Sequence, residues 1–201
     1  MKKNHAYYLL SLMALLVVLL IKHHSVFLNS YSLPSFGANI HSDANQEISV
    51  SFSPGNAENA VVNAINNSKS TLDLAAYSFT SKVITKALLR AEQRGVKVRV
   101  VVDNNEGIAR YSTIPELIKS DIQVRYNGNY QFMHDKYFIS DSVTVETGSF
   151  NYTSSAAHRN AENVILLKNN ATVADSYYQD FERLWRQGTK SPEYNNHRVY
   201  E

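Results

Sequence analysis

The chain has 201 residues, of which 44% are hydrophobic and 19% charged, with a formal charge of +2 and no cysteine. That length suits one filled domain with terminal extensions, and the composition excludes fibrous, disordered and multi-span membrane proteins. The missing thiols exclude disulfides, thiolate metal sites and cysteine catalysis. Basic and acidic residues are equal in number between Gln46 and Gln187, so any polyanion binding there depends on local placement of charge.

Lys2 and Lys3 precede an unbroken run of apolar or small residues, Leu9 to Ile21, closed by Lys22 and flanked by Tyr7 and Tyr8. At about 1.5 Å per residue the run falls short of a hydrocarbon core of about 30 Å, so residues 1–30 read as an export signal. The alternative is an uncleaved anchor lengthened through Ser25 to Leu28, with membrane attachment through residues 9–21. Either reading carries the domain out of the cytoplasm, to the periplasm or beyond, or holds it at the inner membrane with the domain outside. Residues 31–46, with Pro34 and Gly37, read as a polar linker.

From Glu47 the pattern alternates between strand and helix. Ile48 to Phe52 alternates as a strand, and Ala57, Ala60, Val61, Ala64 and Ile65 recur at helical spacing. Thr71 to Tyr77 predicts a second strand. Val83 to Ala91 predicts a helix that stops at Gly95, and Val96 to Val102 a central strand covered on both faces. A third helix is expected over Glu106 to Ser120 and a strand over Ile122 to Tyr126. Lys136 to Ile139 and Val143 to Thr147 predict two strands joined at Ser140-Asp141-Ser142. Val164 to Leu167 reads as a buried strand and Ala171 to Gln187 as a closing amphipathic helix. The class is α/β with a mixed sheet in one domain, 47–187, followed by a polar tail, 188–201.

Chemistry-bearing residues concentrate in the hairpin region. His134 and Lys136 share strand parity, so an imidazole that can attack phosphorus and an ammonium that can neutralise its oxygens converge on one phosphate. Asp141 has the other parity and sits in the turn, where aspartate bonds nearby amides, which gives it a supporting role. Ser149 and Asn151 repeat the two-residue spacing, and Gly148 removes a side chain where a phosphate approaches. Glu162 opens the next strand, where a carboxylate beside an imidazole fixes its tautomer. The other histidines lack ligand spacing, so no metal site is expected. Tyr126, Tyr130 and Phe132 precede His134; core packing is the expected role and base stacking the alternative.

His134, Lys136, Asp141, Gly148, Ser149 and Asn151 together match H-x-K-x4-D followed after six residues by G-S/T-x-N, and the chain thereby resembles the phospholipase D superfamily. The resemblance covers about Glu47 to Gln187 and is nearest to the single-motif bacterial Nuc-type endonucleases. It implies a mixed sheet flanked by helices on both faces. It also implies His134 as the nucleophile forming a phosphohistidine, Lys136 and Asn151 on the phosphate oxygens, Ser149 assisting and Glu162 orienting the imidazole. No metal or cofactor is implied. The reaction needs a second histidine and the chain carries one motif, so a homodimer sharing one active site is implied. The expected activity is a non-specific, metal-independent endonuclease acting on DNA, with RNA a further candidate. A phospholipase D or cardiolipin hydrolase is the alternative, and a phosphate-binding scaffold with a dead site is disfavoured by the complete motif.

Overall fold

The computed structural model describes residues 45–193. The apolar run, nearly all of the linker and the end of the tail lie outside the described residues. Strand and helix alternate as β1 (Glu47–Ser53), α1 (Ala57–Asn67), β2 (Thr71–Ala76), α2 (Lys82–Gln93) and β3 (Lys97–Asp103). Two short helices, α3 (Asn104–Gly107) and α4 (Ile114–Ile118), lead to β4 (Gln123–Asn127). The chain then forms β5 (Lys136–Ser140), β6 (Thr144–Gly148), α5 (Ser154–His158), β7 (Glu162–Lys168) and α6 (Ala171–Gln187).

The strands make one mixed sheet in the order β1-β7-β6-β5-β2-β3-β4. β2, β3 and β4 run parallel, as the two crossover helices require, while β5, β6, β7 and β1 add antiparallel. Helices cover both faces. On one side α1 buries Ala57, Val61 and Ile65, and α2 buries Ile84, Ala87, Leu88 and Ala91, each at the spacing of a single helical stripe. Ser81 caps α2 by accepting from the Ile84 amide at 3.2 Å, and Gly95 follows its end at φ +90°.

On the other side α6 packs against the sheet. It buries Ala174, Phe181, Leu184 and Trp185 against Ala75, Val101, Tyr137, Ile139 and Val145. Arg99 from β3 ties it down, with Asp73 at 2.6 Å, Glu182 at 2.8 Å, and Phe181 and Trp185 under the guanidinium. α6 does not reach the β1 edge. Ile48, Val50 and Phe52 pair with Leu167, Ile165 and Asn163 on that face and remain 65%, 51% and 63% exposed.

The helix expected over Glu106 to Ser120 is two short pieces. Asp103 accepts from the amides of Asn105 and Glu106 and starts α3 early, and a proline in the first turn restarts the chain at α4. α5 was not foreseen in the pattern; its cap is Thr153, which accepts from the Ala156 amide.

Candidate active site

The motif is laid out along the β5–β6 hairpin. Tyr137 pairs with Thr147 at its open end, which brings Lys136 beside Gly148, and beyond them lie His134, two residues outward, and Ser149, one residue outward. His134 is exposed. Its surroundings are fixed from behind: the Met133 amide donates to the buried Asp103 carboxylate at 2.9 Å, and Tyr77 N donates to Asp135 O at 2.8 Å. Tyr77 also packs on the imidazole, with centroids 4.5 Å apart.

Lys136 is 8% exposed, and its Nζ donates to His134 O at 2.7 Å and lies 3.1 Å from His134 Nδ1. Burial lowers its pKa, while the charges of Asp135 and Glu162 work the other way. An ammonium has only protons to give, so while it holds Nδ1 the neutral ring carries its proton on Nε2. A phosphate that draws the ammonium onto its own oxygens releases Nδ1 and lets the ring present Nε2 as a nucleophile.

Across the hairpin, Ser149 Oγ donates to Glu162 Oε2 at 2.5 Å and accepts from the Asn163 amide at 3.1 Å. Glu162 also accepts from Asn160 Nδ2 at 2.9 Å. The carboxylate expected to orient the imidazole thus has its hydrogen bonds to Ser149 and Asn160. Asn151 Oδ1 is buried with no hydrogen-bond partner among the described residues, an acceptor left unmet beside the hairpin. Gly148 needs correction: a Cβ there would stand 2.2 Å from Asn163 O, so the missing side chain makes room for the neighbouring strand rather than for a phosphate.

Asp141 lies in the turn at φ +53°, at the far end of β5, roughly 16 Å along the strand from Lys136. Its carboxylate accepts from the amides of Lys69, Ser70 and Thr71 and from Ser70 Oγ. Burial would raise its pKa, but these donors prevail and lower it. Asp141 fastens the hairpin to the loop before β2.

A cleft of about 330 Å³ opens beside the imidazole, lined by His134, Lys136 and Gly148 together with Asp135, Tyr177 and Asp180. Burial, with help from the charge of Asp180, raises the pKa of Asp135. Asp180 accepts from Tyr137 Oη at 2.9 Å and pairs with Arg183. Asp135, Asp180, Tyr77 and Asp103 were not singled out in the sequence. Tyr77 and Asp103 lie at the carboxyl ends of parallel strands, where open α/β sheets place their ligands, and that position is the signal that finds them. Among the described residues no group of three or more His, Asp and Glu is arranged to hold a metal ion. Of the three aromatics before His134, Tyr126 is buried, Tyr130 bonds Gln187 Oε1, and Phe132 is 45% exposed.

The profile of the family "Cardiolipin synthase, PLD-like domain" matches residues 61–185. A phospholipase D from Rickettsia conorii is 32% identical over 163 residues, covering 81% of this chain and 80% of that protein. A mitochondrial cardiolipin hydrolase from Xenopus tropicalis is 36% identical over 117 residues, but the match spans 58% of this chain and 55% of that protein. Among solved structures, the phospholipase D family member Nuc from Salmonella typhimurium superposes with a TM-score of 0.69 at 38% identity. It covers 72% of this chain and 97% of its own. NucT from Helicobacter pylori shares the fold, with a TM-score of 0.67 at 23% identity.

Proposed function

The chain belongs to the phospholipase D superfamily and is a phosphodiesterase, and from that premise we propose that it is an endonuclease of low sequence specificity working through a phosphohistidine. The observation that carries the reading is the exposed imidazole of His134 with the ammonium of Lys136 3.1 Å from its ring, at the mouth of an open cleft. The similarity to Nuc, over nearly the whole of that chain, supports it.

In the proposed reaction His134 Nε2 attacks phosphorus, and the bond to the leaving oxygen breaks as a second imidazole protonates that oxygen. Water then attacks the phosphohistidine, giving its proton to the second imidazole, and His134 leaves. Lys136, Asn151 Nδ2 and Ser149 Oγ stabilise the oxygens, and Glu162 acts through the serine hydroxyl it holds. The second imidazole is His134 of another copy. The apolar face at Ile48, Val50 and Phe52, exposed among the described residues, supports this. It runs up to Asn163, whose amide bonds Ser149, so a copy seated there lies next to the site. A second reading, hydrolysis of cardiolipin, is favoured by the relative of that name.

The test mixes His134→Asn subunits with wild-type ones, on plasmid DNA, RNA and cardiolipin side by side with EDTA present. Cleavage of nucleic acid that survives EDTA and falls with the square of the wild-type fraction supports the proposal. A linear fall means each chain works alone, and activity on cardiolipin only favours the second reading.

A further inference from the structure

We propose that Phe132 and Tyr77 form a stacking subsite beside His134 that receives one unpaired nucleobase, so that the enzyme prefers single strands to duplex. The proposal rests on the nuclease reading above. Rings step outward from the reacting atom: Tyr77 lies tilted on the imidazole at 4.5 Å, and Phe132 meets Tyr77 edge-on at 6.0 Å and 86°. Lys136 Nζ stands 5.3 Å from the Tyr77 centroid. The ring that touches the nucleophile therefore also touches the cation that neutralises the phosphate, and the next ring is 45% exposed. Its support is rigid, since the adjoining Met133 is 1% exposed and its amide is held by Asp103 at 2.9 Å.

The chemistry of these groups selects the ligand. Every base has a π face and stacks on an aromatic ring whatever its identity, which suits an enzyme that ignores sequence. In a duplex those faces are stacked on each other and only base edges line the grooves, so a base must be unpaired or turned out of the stack to reach Phe132. An acyl chain has no π face, and the Tyr77 ring has an ammonium and an imidazole beside it. After β3, at the same end of the sheet, Tyr111 is 73% exposed with the Arg110 guanidinium 5.4 Å from its centroid. That is a second exposed pairing of an aromatic ring with a cation.

The experiment compares wild type, Phe132→Ala, Phe132→Leu and Phe132→Trp, each checked by melting temperature. Substrates are a labelled single-stranded oligonucleotide, its duplex, the same strand with abasic residues flanking the cleaved phosphate, and cardiolipin vesicles. Alanine and leucine should raise KM on the base-bearing single strand about tenfold and lower by the same factor its kcat/KM relative to the abasic strand, while tryptophan should preserve both. An equal loss on all nucleic acids, or no change on any, overturns the subsite and leaves the nuclease reading standing. A loss confined to vesicles assigns the ring to lipid and also overturns it. If the wild type cleaves no nucleic acid, the nuclease reading fails first and the subsite with it.

Discussion

The two ends of the β5–β6 hairpin carry residues of one sequence motif and do opposite work. At the open end His134 and Ser149 are exposed, and Lys136 is held by the backbone and ring of the residue it must leave when a phosphate arrives. At the closed end the Asp141 carboxylate accepts from three amides and a hydroxyl and is satisfied without any ligand. A motif is thus not a site. Half of this one carries the proposed chemistry, and the other half fastens the hairpin to the loop before β2.

The sharpest way to break that division is His134→Asn. It should lower kcat at least about a thousandfold with the melting temperature unchanged within a few degrees, read by steady-state kinetics and calorimetry. Normal turnover in the folded variant would make the open end structural.

Midway along the hairpin, Glu146 is wholly buried, with Oε2 accepting from Tyr152 Oη at 2.7 Å and Oε1 unpartnered. Burial pushes its pKa from 4.5 up to about 8, and the Tyr152 hydrogen bond opposes this. The unfolded chain therefore gives up this proton at lower pH than the folded one, and stability should fall as pH rises from about 4.5 to about 8. Glu146→Gln should remove that slope and gain roughly 5 kcal/mol near pH 9, measured by denaturant unfolding across pH.

Asp141→Ala should cost about 1–2 kcal/mol and leave kcat per folded molecule within about threefold. Because its carboxyl is held below the ordinary value of 3.8, the stability it supplies is present at neutral pH and lost as pH falls below that value. A hundredfold drop in kcat would return Asp141 to the chemistry. The smallest effect belongs to the edge: Lys168→Ala breaks an exposed pair with Glu47 at 2.8 Å and should change stability by less than about 0.5 kcal/mol.

Much of this was legible in the chain. Period-two and helical stripes placed the strands and the long helices, and Asp141 between two strand patterns disclosed the turn that brings Lys136 and Gly148 together. What sequence withheld is register between distant strands. Only the pairing of β6 with β7 sets Ser149 against Glu162 and fills the space over Gly148 with a carbonyl. Nor does alternation reveal that Glu146 faces the core, because a lone carboxylate in a strand reads as solvent-facing. Residues 104–118 misled because a capping aspartate and a proline, both local, overrode an apolar spacing that suited one helix.

The place of β1 at the sheet edge, bonded to β7 across a sequence separation of 121 from Glu47 to Lys168, orders the folding of the chain. Of the described strands β1 is made first and is the last to find its neighbour, since the others are laid down before β7 exists to receive it. A nascent chain therefore carries Ile48, Val50 and Phe52 on an unpaired edge until β7 is made, and truncation before β7 leaves a sticky strand rather than a smaller domain.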